Sequence, residues 1–118
     1  MNGIINILKP PMMTSNSVVA AVKKYTGQSH VGHTGTLDPD AEGVLPVCLG
    51  KATKLCEYIT DKDKEYIARV KLGVTTDTLD MSGNILSESK FTGNLSDIEK
   101  ACESFSGDIM QIPPMYSA

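Results

Sequence analysis

The chain has 118 residues, 41% of them apolar, and a formal net charge of −3, which is enough for one compact domain with a core and leaves no room for a second independent one. No apolar run approaches bilayer length, and the opening MNGIINILKPPMM has neither the basic start nor the small-residue cleavage site of a signal peptide, so a soluble cytoplasmic protein without a membrane partner is expected. The acidic balance argues against a polyanionic partner overall, but residues 1–60 carry five lysines against four acids while residues 61–118 carry six bases against ten acids, so any nucleic-acid surface belongs mainly to the first half, with Lys62, Lys64, Arg69 and Lys71 adding to it.

In chain order, Gly3 to Leu8 is an apolar run that reads as a buried strand, stopped at Lys9-Pro10-Pro11 because proline cannot donate to a ladder. Thr14, Ser15 and Asn16 offer N-cap oxygens for a helix that carries Val18, Val19, Val22 and Tyr25 at helical spacing and stops near Thr26 at Gly27. Gln28 to Gly43 has neither helical nor strand period and reads as one irregular polar loop, of a length that is usually functional. Val44 to Leu49 suits a strand, which Pro46 demotes to an edge or a bulge.

Lys51 to Ile59 has Leu55, Tyr58 and Ile59 at helical spacing, and Asp61 to Lys64 closes that element as a turn. From Glu65 to Leu72 the residues alternate strictly, with Tyr66, Ala68, Val70 and Leu72 on one face and Arg69 on the other, which predicts a strand. Gly73 to Gly83 is a polar connection, followed by a strand at Asn84 to Ser87 and a helix capped by Ser96 with Glu99 three residues on, its Ile98, Cys102 and Phe105 facing inward. A short strand around Ile109 to Gln111 precedes the final segment. Strands and helices without regular βαβ spacing predict an α+β fold with a mixed, mostly antiparallel sheet and flanking helices, and no repeat or linker divides it.

Cys48, Cys56 and Cys102 are odd in number, far apart in sequence and without histidines beside them, so they read as reduced, mostly buried apolar residues and not as a zinc site. The chemistry concentrates in the loop. Asp38 and Asp40 lie two apart between glycines. A calcium loop counted from Asp38 would need a carboxylate at its twelfth position, where Leu49 stands. A phosphatase Asp-x-Asp pair should follow an apolar strand, whereas this one follows Thr34-Gly35-Thr36-Leu37. On residue type alone, both aspartates read first as turn formers.

The wider string Gly32-His33-Thr34-Gly35-Thr36-Leu37-Asp38-Pro39, continuing through Ala41, Gly43-Val44-Leu45-Pro46 and Gly50-Lys51-Ala52-Thr53-Lys54, resembles the signature of the tRNA pseudouridine synthase B family. Lys9-Pro10 with Met13-Thr14-Ser15 is similar to that family's opening, though Pro11 stands where members often have other residues. Lys64, Tyr66, Ala68 and Leu72-Gly73 match its Lys-x-Tyr-x-Ala strand, and Gln111-x-Pro113-Pro114-x-Tyr116-Ser117-Ala118 matches a fourth segment.

The resemblance implies a pseudouridine synthase-like fold and an isomerase that flips a uridine out of the tRNA T-loop and converts it to pseudouridine without a cofactor or metal. By the same resemblance Asp38 is the catalytic carboxylate, Tyr66 stacks on the flipped base, His33 sits beside the nucleotide, and Lys9 and Pro10 shape the wall near Asp38. By alternation alone, Tyr66 reads equally as a core tyrosine whose hydroxyl finds a partner. Lys23, Lys24, Lys51 and Lys54 are candidates to meet phosphates.

Residues 1–118 would then be the N-terminal part of a single catalytic domain. The family's later strands, an arginine that pairs with the aspartate and a C-terminal RNA-binding portion are missing, since Arg69 is this chain's only arginine and lies on the wrong face. The chain by itself is therefore expected to be inactive and to self-associate through unpaired strand edges. No protein partner is indicated, and the alternative function is an inactive RNA-binding or interaction module on the same scaffold.

Overall fold

The computed structural model describes residues 1–112, so the Pro113 to Ala118 part of the last matched segment lies outside the described residues. The chain divides into two compact units, Met1–Tyr66 and Ile67–Ala118. Its class is the expected α+β, and every strand pairing among the described residues is antiparallel.

The first unit is built on a three-stranded sheet. Strand β1 (Gly3–Lys9) and strand β2 (Val31–His33) flank β3 (Gly43–Leu49), giving the order β1-β3-β2. The register runs from Gly3 opposite Leu49 to Lys9 opposite Gly43, and from Val31 opposite Leu49 to His33 opposite Val47. Helix α1 (Ser15–Thr26) lies between β1 and β2 in the chain, capped by the Thr14 hydroxyl, which accepts from Ser17 N, and closed by Gly27 at φ 65°. Only glycine adopts that left-handed stop without cost, and Lys23 and Lys24 in the last turn complement the helix dipole.

One face of β3 and one stripe of α1 make the core. Leu45, Val47 and Leu49 pack on Val18 and Val22, with Ile5, Ile7, Met13, Val31 and Leu37 partly buried around them. Val19 is half-buried and Tyr25 is exposed, so the helix buries a narrower stripe than its apolar spacing predicts. After β3 the chain turns through a 3-10 helix (Gly50–Leu55) into the short helix α2 (Cys56–Thr60).

Three expectations for this sheet are corrected. β1 is a half-buried edge strand with Ile4 and Leu8 exposed, since only alternate residues face α1. β3 is the central strand despite Pro46. The Pro46 carbonyl accepts from Thr34 N at 3.1 Å, and in an antiparallel ladder a residue's nitrogen faces the same neighbour as its carbonyl. Its missing N–H therefore falls where β2 has already ended at His33, and no bond to β1 is lost. The supposed irregular loop from Gln28 to Gly43 also contains β2, too short and too polar to show a period.

In the second unit, β4 (Val74–Thr76) and β5 (Ile85–Glu88) form a two-stranded ladder, and helix α3 spans Leu95–Glu103. The connection between the strands is held by Asp80, whose carboxylate accepts from the Ser82 backbone, the Ser82 hydroxyl and the Thr78 hydroxyl, bonds that hold it below its usual range. β4 falls inside the stretch read as a polar connection. Asn94, not Ser96, caps α3, in a reciprocal box with Asp97, which leaves Ser96 inside the helix. Of the residues expected to face inward, Ile98 is half-buried while Cys102 and Phe105 are exposed.

The strand predicted from Glu65 to Leu72 is not formed, nor is the one at Ile109 to Gln111. Alternation sets which way side chains point but supplies no hydrogen-bond partner, and no described strand pairs with either run. Tyr66, Ile67, Val70 and Leu72 are accordingly exposed. No helix among the described residues is long and apolar enough to cross a membrane.

Candidate active site

The loop between β2 and β3 carries Asp38, and three sets of bonds fix its backbone. At its start, Thr34, only 4% exposed, directs both its N–H and its hydroxyl to the Pro46 carbonyl. Next, the Ser15 hydroxyl donates to the Leu37 carbonyl at 3.2 Å and accepts from Leu37 N at 3.0 Å. Beyond Asp38, the Pro39 carbonyl accepts from the Lys9 ammonium at 3.1 Å, and Ala41 N closes a turn onto the Asp38 carbonyl at 3.1 Å.

Lys9 is the unexpected member of this arrangement. It ends β1 with none of its surface exposed, and its Nζ also donates to the Met13 carbonyl at 2.7 Å and the Pro10 carbonyl at 3.0 Å. Three carbonyls match the three N–H groups of an ammonium, so the burial leaves no donor unpaired. Sequence reading places Lys9 beside Asp38 as a wall. Its role as a tie between β1, the start of α1 and the Asp38 loop has no sequence signal, because its partners lie one, four and thirty residues away.

The backbone on either side of Asp38 is thus held while the Asp38 side chain is exposed. His33, half-buried at the end of β2, accepts from Gly35 N on its Nδ1 at 3.4 Å. Pro10 follows Lys9 and lends it a carbonyl. Lys9 bonds to Pro10 and to Pro39 beside Asp38, while His33 bonds to Gly35 N earlier in the same loop. Tyr66 is 63% exposed at the end of the first unit, and no hydrogen bond among the described residues joins it to the loop. Arg69 is exposed in the second unit.

Lys51 and Lys54 line a cavity of about 310 Å³ with Asn2, His30, Gly50 and Thr53. It opens at the Gly3 end of β1, on the order of 20 Å from the Lys9 end at the usual strand rise. The cavity is therefore separate from the Asp38 loop.

The family model described as TruB family pseudouridylate synthase (N terminal domain) matches residues 23–118. The chain belongs to the TruB family. Two TruB-family relatives, each named tRNA pseudouridine synthase B, are 56% identical over 119 residues in Clostridioides difficile (strain 630) and 52% identical over 118 residues in Alkaliphilus oremlandii (strain OhILAs). In both, the match covers 100% of this chain and 40% of the relative, so the chain spans less than half the length of the proteins it matches. Among solved structures, a chain of the crystal structure of a Cbf5-Nop10-Gar1 complex matches with a TM-score of 0.67 and 31% identity, over 98% of this chain and 30% of that one. The TruB-family fold is thereby supported along almost the whole sequence.

Ser15, read from sequence as one of three candidate caps, instead fastens the residue before Asp38. Ser15→Ala removes both bonds to Leu37 at a site only 3% exposed. The expected cost is about 1–3 kcal/mol, read as a lower urea midpoint with unchanged far-ultraviolet circular dichroism, because Thr14 still caps α1.

Proposed function

We propose that this chain is the N-terminal part of a single catalytic domain that converts a T-loop uridine of tRNA to pseudouridine, with Asp38 as the essential carboxylate. The observation that carries this reading is an exposed aspartate on a backbone fixed at Leu37 and Pro39, in a chain of the TruB family. A reacting group held on a fixed frame loses little freedom when substrate arrives.

The reaction is an isomerisation. The bond from the sugar to the base nitrogen breaks, the base turns, and a bond from base carbon C5 to the sugar forms, with the C5 proton released to water and a proton gained at the freed nitrogen. No electrons are gained or lost. Asp38 acts either as nucleophile toward sugar or base or as base toward a sugar proton. The target base must leave its stack first, and an exposed aromatic plane at Tyr66 suits it as a stacking partner. His33 fills the space next to the extruded nucleotide, Lys9 and Pro10 hold the loop from beneath, and the exposed lysines Lys51 and Lys54 contribute positive charge toward phosphates. Such work belongs to the cytoplasm, where tRNA is modified.

In the full-length protein, Asp38→Asn is expected to keep fold and tRNA affinity and to lose turnover by at least a thousandfold, since the amide keeps the shape without the charge. Tritium release from T-arm RNA labelled at uridine C5 measures this, and near wild-type release would reject Asp38. Tyr66→Leu is expected to lower turnover strongly with a melting temperature within about a degree of wild type, because an exposed side chain contributes little to stability. A parallel fall in melting temperature would instead make Tyr66 a packing residue.

A further inference from the structure

Cys48 and Cys56, eight positions apart in sequence, meet on one patch of the sheet. β2 and β3 place Gly32 directly opposite Cys48, and opposed residues on an antiparallel pair point to the same face. That face is the one away from α1, because Leu45, Val47 and Leu49 take the other. A Cβ placed on Gly32 would lie 3.4 Å from Cys56 Sγ, so the α2 thiol sits over the glycine, beside Cys48. The Cys56 side chain is the neighbour that acts on the Cys48 thiol. Cys48 has no exposed surface, while Cys56 is partly exposed.

We propose that Cys48 and Cys56 form a reversible dithiol–disulfide site whose oxidising co-substrate is a low-molecular-weight disulfide of the glutathione type. The site is independent of the isomerisation chemistry assigned above.

Accessibility sets the order of events. Burial, and after it the neighbouring Cys56, push the Cys48 thiol up to about 11, so Cys48 keeps its proton and does not open the exchange. The Cys56 thiolate attacks one sulfur of oxidised glutathione, the glutathione S–S bond breaks, and one glutathione thiolate leaves. Cys48 then gives up its proton as its sulfur attacks Cys56 Sγ. The mixed disulfide breaks and the second glutathione leaves. Two protein thiols are oxidised, one small disulfide is reduced, and the two released glutathione thiols carry away the two protons. The product ties the first turn of α2 to the central strand.

Incubating the folded protein with oxidised glutathione, blocking free thiols and mapping peptides by mass spectrometry tests the site. The expected product has lost two hydrogens, joins the Cys48 peptide to the Cys56 peptide and reverts with dithiothreitol. Exposed Cys102 should carry only a glutathione adduct. Cys48→Ala should trap glutathione on Cys56, with circular dichroism checking that the variant is folded. The wild-type result decides alone if it is not. A wild-type protein in which Cys56 stays glutathionylated without closing, or in which Cys56 links to Cys102, would overturn the proposal.

Discussion

The candidate site depends on one buried ammonium. Lys9 ends an edge strand where the chain must stop pairing, because Pro10 and Pro11 follow and neither can donate to a ladder. Segments that leave a sheet carry carbonyls that still need a donor. Lys9 supplies three at once, to Pro10, Met13 and Pro39, and so closes the start of α1 and the Asp38 loop over the same point. Within this turn Met12 takes a left-handed φ of 63°, a conformation that costs an ordinary side chain roughly 1–2 kcal/mol. The 2.7 Å bond from Lys9 to the neighbouring Met13 carbonyl helps offset it.

From that point the remaining contacts follow in sequence. The core of Leu45, Val47, Leu49, Val18 and Val22 fixes α1 on the sheet. α1 in turn presents Ser15, whose hydroxyl both gives to and takes from Leu37. The Asp38 side chain therefore projects from a backbone held on one side by a helix and on the other by a strand end. Neither tie uses the carboxylate itself, which stays available for a substrate.

Much of this was legible in the sequence, for identifiable reasons. α1 announced itself by spacing, a capping threonine and Gly27, all of which act within a few residues of one another. The Asp38 loop stood out through its own string of residue types. Features that depend on distant partners did not show. β2 spans only three residues and exists because β3 is there to pair with it, and β3 is central because Pro46 turns its missing N–H past the end of β2. The Glu65 to Leu72 run has the right alternation and no described strand beside it. The sequence placed Lys9 as a wall beside Asp38 without its three carbonyl partners, and Cys48 and Cys56 looked unrelated, since only the folded sheet brings their partners to them.

Amide hydrogen exchange on Lys9→Met, which keeps the side-chain bulk and removes the three donors, tests the tie most directly. The amides of Leu37 and Ala41, which bond to Ser15 Oγ and to the Asp38 carbonyl, should lose protection while those of the β1–β3 ladder and α1 retain theirs. Unchanged exchange at Leu37 and Ala41, or an equal loss across the whole first unit, would contradict the view that Lys9 holds the Asp38 loop in place.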